Sequence, residues 1–447
     1  MVENVLLLTI DSLRADYVPD REDGSSTIAA VASTGVRFSS AFATGSGTGP
    51  SFPGILTGTL PLSFGGLGPL NRERPRMSSN LHNAGLSTGG FQTNPFLSAH
   101  FNYDVGFGRF EDYQNPLMGL ATRLFPRGIE SDGSKLSFFG GSIDLASALK
   151  STYEYFRGKP RPYVSAEVIS EDTIAWLRET DTPFFCWSHF MDVHHPCFPP
   201  EEYRHKYGIE DVTHSEVAEW YNQFSTSPET LSQAEVETMR DLYRSAIEYV
   251  DDQIGTIVNH LRETNRFDET LLIITSDHGE LFGEHDQYGK PDRMYDELLK
   301  VPLLVANGPN WLSDATDQLV SLLDLPPLIH AALGVDPCPA YRGRVPGQDP
   351  ARQYIQAEME YQGEPIVGVR SRNWLYEADE ISGEHRTYRI DSETPSRISP
   401  HSVESEELEA LKDAAVKRLA ELDISDRQLR DEVDGDMESR LEDLGYL

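Results

Sequence analysis

The chain has 447 residues, enough for two or three average domains or for one large α/β domain with a small appendage. Its formal net charge of −34 and its pI near 4.7 predict repulsion from nucleic acids and acidic membranes, so we expect neither as a partner. An acidic surface would also suit a protein adapted to concentrated salt, where screening removes the repulsion between like charges.

The first predicted element is a strand over residues 4–10, because its apolar run has strand length and ends at a turn residue, Asp11. In open α/β sheets, ligands bind beyond the carboxyl ends of the strands. A single Asp at such a position is about as often a helix cap or a turn residue. A helix is predicted for residues 27–34.

A glycine-rich loop that carries hydroxyl groups follows at residues 45–58. It leads into an apolar turn, so it can present the hydroxyl of Thr48 at the start of a helix. The free N–H groups and the dipole of a helix start favour a tetrahedral anion. Of the other hydroxyls in this loop, Ser46 and Ser51, the second is predicted to cap the helix.

The middle of the chain predicts a second strand that ends in functional residues. Residues 81–84 belong to a helix, and the glycine-rich range 116–162 is interpreted as an irregular insertion that could form a lid. A helix over residues 169–180 precedes a buried strand over residues 184–190. That strand leads to His194 in an Asp-x-His-x-Pro setting.

A long helix is predicted for residues 235–264, and a strand follows it over residues 270–276. The strand ends abruptly in Asp277 and His278, which are strong metal-ligand types. If the strand ends meet at one edge of a sheet, Asp11 joins them. Two carboxylates and an imidazole make a plausible site for a divalent cation.

Glycine and proline punctuate residues 334–350, which predicts a domain boundary there. We therefore expect a catalytic α/β domain over residues 1–345 and a small C-terminal domain over residues 346–447. The small domain is predicted to hold strands near residues 353–358, 366–371 and 374–377, and an acidic amphipathic helix from about residue 405 to residue 422.

Several of these segments carry motifs in a family-specific order. They are Leu-Thr-Ile-Asp-Ser-Leu-Arg-Ala-Asp around Asp11, Thr-Gly-Pro-Ser from Thr48, Asp-Val-His-His-Pro around His194, and Ser-Asp-His-Gly-Glu-Leu-Phe-Gly-Glu-His from Ser276 with Lys290 downstream. In these motifs the chain resembles the sulfatases of the alkaline-phosphatase superfamily. The resemblance implies a mixed, mostly parallel sheet flanked by helices, with a smaller C-terminal α+β domain.

The chain departs from the family pattern at the nucleophile. Family sulfatases convert a Cys or Ser to formylglycine in a Cys-x-Pro-Ser-Arg motif, whereas this chain has Thr48 there and Phe52 at the Arg position. Threonine cannot yield that aldehyde. Ser12 replaces the second Asp of the commoner sulfatases, and their Gly-Lys-Trp-His motif is missing. The pattern is similar to the threonine-nucleophile branch, whose phosphodiesterases, phosphonate hydrolases and phosphotransferases attack directly with threonine.

The resemblance implies a nucleophile and a cation site. Thr48 would be the nucleophile, and Asp11, Asp277, His278 and Thr48 itself would bind the cation, which lowers the pKa of a coordinated hydroxyl. The carboxylates suit Ca²⁺, Mg²⁺ or Mn²⁺, while His278 favours Mn²⁺ or Zn²⁺.

The resemblance also implies residues that contact the anion, Lys290 and His194. Lysine is scarce in this chain, which favours a purpose for Lys290, whereas His194 could instead be a structural histidine. His285 is predicted either to order its loop or to touch the substrate or the leaving group. Arg14 is a candidate substrate clamp, although a solvated or salt-bridged Arg is commoner.

The sequence therefore predicts a metal-dependent hydrolase of sulfate, phosphate or phosphonate esters, acting on a small molecule or a glycan. Two alternatives stay open: a phospho-group transferase to a sugar or lipid acceptor, and an inactive scaffold that binds anionic glycans, for which Phe52 is the best argument. Three cysteines without Cys-x-x-Cys spacing indicate a reducing compartment. With no recognisable signal peptide, we expect a cytoplasmic location, and the oligomeric state is open.

Overall fold

The computed structural model of the chain describes residues 2–18, 26–113, 127–128, 163–180, 183–379, 383–390, 396–398 and 405–422. The predicted lid range, 116–162, lies outside the described residues except at residues 127–128. Among the helices within the described ranges, none is long and apolar enough to cross a membrane.

Strands and helices alternate through most of the described chain. The strands are β1 (Asn4–Ile10), β2 (Val36–Arg37), β3 (Ala41–Phe42), β4 (Ser87–Phe91), β5 (Arg109–Glu111), β6 (Phe184–Phe190), β7 (Thr270–Ser276), β8 (Leu281–Phe282), β9 (Tyr288–Gly289), β10 (Lys300–Val301), β11 (Leu303–Ala306), β12 (Val320–Ser321), β13 (Ile355–Tyr361), β14 (Glu364–Arg370), β15 (Trp374–Asp379), β16 (His385–Arg389) and β17 (Ser396–Ile398). The α-helices are α1 (Thr27–Thr34), α2 (Thr48–Thr57), α3 (Met77–Asn83), α4 (Ala166–Glu179), α5 (Glu201–His205), α6 (His214–Thr226), α7 (Gln233–Glu263), α8 (Asp296–Leu299), α9 (Leu325–Leu333) and α10 (Glu406–Glu421).

The largest sheet has seven strands in the order β2-β11-β7-β1-β6-β4-β5. Strands β1, β4, β5, β6 and β7 run parallel to one another, and β11 runs antiparallel to β7 and β2. The predicted mixed, mostly parallel sheet is confirmed. Because β1 lies between β6 and β7, the three strands with functional residues at their ends are neighbours.

Every residue of β1 is buried, and its side chains alternate between two apolar cores. Leu6 and Leu8 pack in one core with side chains of α4 and α7. Val5 and Leu7 pack in the other core with side chains of α2 and α9. Helices thus cover both faces of the sheet, which is why its central strands are continuous apolar runs in the sequence.

The predicted strands β1, β6 and β7 and the predicted helix α1 are confirmed residue for residue. The helices predicted over residues 169–180 and 235–264 begin slightly earlier than expected. For α7 the cause is a capping box: the Ser232 side chain accepts from the backbone N–H of Glu235, and the Glu235 side chain accepts from that of Ser232.

The C-terminal part is a five-stranded antiparallel sheet, β13 to β17, with α10 on one face. Its other face packs against the main body through Phe42 and Leu298. On β13, the backbone N–H of Glu358 donates to Thr44 O at 2.7 Å, and the Glu358 carboxylate binds Arg418 of α10. The smaller α+β part is confirmed. Through the hydrogen bond from Glu358 to Thr44, it stabilises the loop before α2. The boundary between residues 345 and 346 stays a prediction.

Candidate active site

The carboxyl ends of β1 and β7 lie side by side and bring three predicted ligands together. In the parallel ladder Ile10 pairs with Ser276, so Asp11 and Asp277 leave the sheet at the same edge. Asp11, Asp277 and His278 each offer one ligand atom, and these three atoms lie within 4.8 Å of one another. The three side chains are fully buried. The cluster has the dimensions of a site for one cation.

Helix α2 begins at Thr48 and delivers its hydroxyl to this cluster. Thr48 Oγ1 lies 3.3 Å from Asp11 Oδ2 and 3.3 Å from His278 Nε2. The preceding loop can approach β13 because residue 45 is glycine: a Cβ on Gly45 would lie 2.7 Å from the backbone oxygen of Glu358. The hydroxyl therefore sits at a helix start, where the dipole favours negative charge.

His278 turns its Nε2 atom toward the cluster. Its Nδ1 lies 2.8 Å from the carbonyl oxygen of Gly279, which can only accept, so Nδ1 carries the proton. Nε2 lies 3.6 Å from Asp11 Oδ1 and 3.5 Å from Asp277 Oδ2. A Cβ on Gly279 would lie 1.9 Å from the backbone oxygen of Glu297, so this turn requires glycine. A ring nitrogen beside two carboxylates is a donor set of the type that binds a divalent cation.

The hydrogen bonding of the Asp277 carboxylate indicates whether these residues fit a cation. Its Oδ1 accepts hydrogen bonds from the backbone N–H groups of Ser12 at 3.1 Å and His278 at 3.0 Å. Its Oδ2 is buried and has no hydrogen-bond partner among the described residues. Burying a carboxylate oxygen without a partner is costly, and a divalent cation would satisfy it. The residues therefore fit a cation with oxygen and nitrogen ligands.

Asp11 is held by side chains that the sequence did not assign to the site. Its Oδ2 accepts from Asn94 Nδ2 at 3.0 Å and lies 3.2 Å from His189 Nε2, and its Oδ1 accepts from Ser12 Oγ at 2.8 Å. Asn94 Nδ2 also lies 3.4 Å from Thr48 Oγ1. The strand-end rule could have identified Asn94, which follows β4, whereas His189 lies inside β6, where the apolar run gives no such signal.

The two carboxylates of the cluster differ in pKa. Burial raises the pKa of Asp277, and the negative charge of Asp11 adds to this effect. Burial acts on Asp11 in the same direction, but the hydrogen bond that its carboxylate accepts from His189 opposes burial, and the pKa of Asp11 lies below its usual range. Asp11 is therefore the carboxylate of the pair that stays ionised.

Lys290 and His194 form a second group, close enough to the cluster for charge on His194 to act on Asp11. Lys290 Nζ lies 2.6 Å from His194 Nε2 and 4.0 Å from Glu280 Oε2. His194 Nδ1 lies 2.5 Å from the carbonyl oxygen of His195, so Nδ1 donates and Nε2 accepts from the ammonium. Burial and the charge of Lys290 lower the pKa of His194 well below 6.5, and burial raises the pKa of Glu280 to about 7. His194 is therefore neutral.

Two other predicted contact residues, Arg14 and His285, bind neighbouring side chains. Arg14 pairs with Asp16 at 2.8 Å and with Glu284 at 2.7 Å, which is the salt-bridged alternative left open by the sequence. His285 Nε2 lies 3.1 Å from Glu297 Oε2. The structure thus brings the predicted ligands together with Thr48 and pairs Lys290 with His194, while the roles of all these residues stay predictions.

Known proteins resemble this chain in sequence and in fold. A family model described as Sulfatase matches residues 3–335. The uncharacterized sulfatase YidJ of Escherichia coli (strain K12) is 31% identical over 184 residues, which cover 38% of this chain and only 36% of that protein. The multifunctional alkaline phosphatase superfamily protein PehA of Trinickia caryophylli is 23% identical over 401 residues, or 76% of each protein. The solved structure of the phosphonate monoester hydrolase SpPMH from Silicibacter pomeroyi has the same fold, with a TM-score of 0.67, 19% identity, and coverage of 94% of this chain and 96% of that one.

Proposed function

Since this chain belongs to the sulfatase family, we propose that it hydrolyses sulfate, phosphate or phosphonate esters with Thr48 as the nucleophile and a divalent cation as cofactor. The observation that carries this proposal is the position of Thr48 Oγ1, 3.3 Å from both Asp11 and His278. A threonine hydroxyl is a weak nucleophile near neutral pH, so it needs activation. When held by Asp11, Asp277 and His278, the cation would lower the pKa of this hydroxyl and neutralise charge on the ester.

The reaction divides into two displacement steps. In the first, Thr48 Oγ1 gives up its proton and forms a bond to the sulfur or phosphorus while the bond to the ester oxygen breaks, and the leaving alcohol takes up a proton. In the second, water attacks the same atom, and the Thr48 oxygen leaves and regains a proton. The sum converts ester and water into alcohol and free anion, so no oxidant or reductant is required.

Lys290 is the side chain best placed to bind a non-bridging oxygen of the substrate. Its ammonium is a donor beside the cluster, and charge neutralisation of those oxygens is the main requirement of this chemistry. His194 orients the ammonium without adding charge. Asp11 and Asp277 would offset the charge of the cation, and Glu280, whose carboxyl oxygen lies 4.0 Å from Lys290 Nζ, offsets part of the charge of the ammonium. We therefore expect singly charged esters, such as sulfate and phosphonate monoesters, to react faster than doubly charged phosphate monoesters.

Paired variants of Thr48 test the proposal. The protein is loaded in turn with Ca²⁺, Mg²⁺, Mn²⁺ or Zn²⁺ and assayed with aryl sulfates, phosphate monoesters, phosphate diesters and phosphonates. We expect Thr48→Ala to lower turnover by about 10⁴-fold. Thr48→Ser is the matched control, because it keeps the hydroxyl and should retain far more activity. Both variants should still bind the cation through the other ligands.

Two results would contradict the proposal. A Thr48→Ala variant as active as the wild type would mean that another hydroxyl attacks, with Ser46 and Ser51 the nearest alternatives in the loop. A wild type inert toward the whole panel, at both moderate and high salt, would favour the scaffold that binds anionic glycans. Peptide mass analysis should also find unmodified threonine at position 48.

A further inference from the structure

His189 is a fully buried side chain in the middle of the main sheet, and it contacts a proposed ligand of the cation. It lies on β6 and is the ladder partner of Thr9 on β1. His189 Nε2 lies 3.2 Å from Asp11 Oδ2, and His189 Nδ1 lies 2.9 Å from Thr9 Oγ1. The imidazole ring therefore connects Asp11 to Thr9 across the strand pair.

The surrounding donors determine which ring nitrogen carries the proton. The indole N–H of Trp187 can only donate, and it lies 3.0 Å from Thr9 Oγ1, which accepts this bond. The hydroxyl proton of Thr9 then points to His189 Nδ1 at 2.9 Å, since the alternative acceptor, Ser188 O, is 3.5 Å away. Nδ1 is thus the accepting nitrogen. The proton lies on Nε2, which faces Asp11, and an ionised carboxylate can only accept.

Aromatic side chains fix the ring from its other sides. The ring of Phe52 meets that of His189 edge-on, with centroids 5.1 Å apart, and the Trp187 ring lies 6.3 Å away. Phe52 lies one turn beyond Thr48 on the same face of α2. His189 therefore touches both the carboxylate of Asp11 and the helix that carries Thr48. This packing explains structurally why an apolar residue, Phe52, occupies this position.

We propose that His189 is a positioning residue for the cation site, which donates from Nε2 to Asp11 Oδ2 and thereby fixes the orientation of that carboxylate. Thr9 and Trp187 select the tautomer that makes this donation possible. Groups that hydrogen-bond to a metal ligand from behind typically change metal affinity by about 10- to 100-fold when they are removed. The inference rests on Asp11 being a cation ligand in the proposed function, and it does not depend on Thr48 being the nucleophile.

Calorimetric titration of the chelator-treated full-length chain with Mn²⁺ tests the inference without measuring activity. We expect His189→Leu to weaken Mn²⁺ binding by about 10- to 100-fold. His189→Gln, which keeps an N–H donor, should recover most of the affinity. The matched control is His330→Leu. His330 is also fully buried, but it contacts Pro326 on α9 and Tyr341 in the segment after α9. The control should lower thermal stability and leave Mn²⁺ affinity unchanged.

Wild-type Mn²⁺ affinity in a folded His189→Leu variant would overturn the inference, and so would a wild type that binds no Mn²⁺. Nitrogen-15 NMR of labelled histidines in the cation-free wild type gives a second test that needs no substitution at position 189. We expect a protonated Nε2 and an accepting Nδ1 for His189, and the reverse tautomer would overturn the inference. Thr9→Val should abolish this preference. A wild type that binds Mn²⁺ but turns over no ester would refute the proposed function alone.

Discussion

The cation side and the anion side of the candidate site are built differently. The cation side consists of Asp11, Asp277 and His278, which directly follow adjacent parallel strands and are fully buried. The anion side consists of Lys290 and His194, which lie in the connections after β9 and β6. A residue at a strand end is fixed in space by the sheet, whereas a residue in a connection is fixed by the partner it contacts.

This difference matches what each side would do. The ligands of the cation side are oriented beforehand: backbone N–H groups hold Asp277 Oδ1, and the Gly279 carbonyl holds His278 Nδ1. Such preorganisation lowers the cost of reorganisation during reaction. Lys290 instead donates to His194, and in the proposed function it would share its donors with a substrate oxygen. Substitutions on the cation side should therefore remove binding and turnover together, and those on the anion side should affect turnover alone.

The largest effect is expected for Asp277→Asn. This change removes a negative charge and the buried Oδ2 that has no hydrogen-bond partner among the described residues. We expect cation affinity to fall by more than about 10³-fold, beyond the effect of losing an outer contact, and turnover to fall with it. Mn²⁺ calorimetry and turnover on one preparation measure both. The control is Asp251→Asn, because Asp251 is buried but accepts from the backbone of Thr27 and Ile28. An Asp277→Asn variant with wild-type affinity would place the cation elsewhere.

A smaller and more selective effect is expected for Lys290→Met. Loss of the ammonium removes one donor to the developing charge, so kcat/KM should fall by about 10²- to 10³-fold. Cation affinity should stay within about threefold of the wild type, because Lys290 is not a ligand. Steady-state kinetics and calorimetry separate the two quantities, and the exposed Lys300→Met serves as the control. Loss of cation binding in Lys290→Met would break the division between the two sides.

The low pKa of His195, which follows His194 in the chain, predicts that the protein loses stability in acid. Burial and the charge of Lys290 lower the pKa of His195 to about 3. Between about pH 6.5 and pH 3 the unfolded chain therefore binds a proton that the native protein does not, and the free energy of unfolding falls by about 1.4 kcal/mol per pH unit as pH falls. His195→Phe, in a pocket with Tyr221 and Tyr243, should make this slope shallower by about that amount. Urea unfolding at several pH values measures the difference, and parallel slopes would contradict the assignment.

The smallest kinetic effect is expected for Arg14→Met. The guanidinium already binds the carboxylates of Asp16 and Glu284, so a substrate would have to compete with both. We expect KM to change by less than about threefold and the free energy of unfolding to fall by about 2 kcal/mol, since Glu284 loses a partly buried partner. A tenfold rise in KM without loss of stability would instead support the substrate clamp predicted from the sequence.

The proximity of the residues on the cation side could be predicted from the sequence because it follows directly from local patterns. Asp11, Asp277 and His278 each come just after an apolar run, and Thr48 follows a glycine-rich loop. Asn94 obeys the same strand-end rule, but β4 contains Gly89 and Gly90, which hide its apolar pattern. Gly89 is required because a Cβ there would lie 2.8 Å from the ring of Trp176.

The rest of the site depends on contacts between remote segments. Lys290 and His194 are 96 positions apart, and their pairing follows from how two connections fold back on each other. The contact between His189 and Asp11 depends on the register between β1 and β6, which no local pattern specifies. Likewise, the contact between Arg14 and Glu284 becomes known only when the segments after β1 and β8 meet.

The central claim is that one cation joins the strand-end ligands to Thr48, and a crystal structure with Mn²⁺ located by its anomalous scattering tests it most directly. We expect one ion within about 2.0–2.6 Å of an oxygen of Asp11, an oxygen of Asp277, His278 Nε2 and Thr48 Oγ1. An ion bound outside this cluster, or one bound in the cluster without contact to Thr48, would contradict the claim.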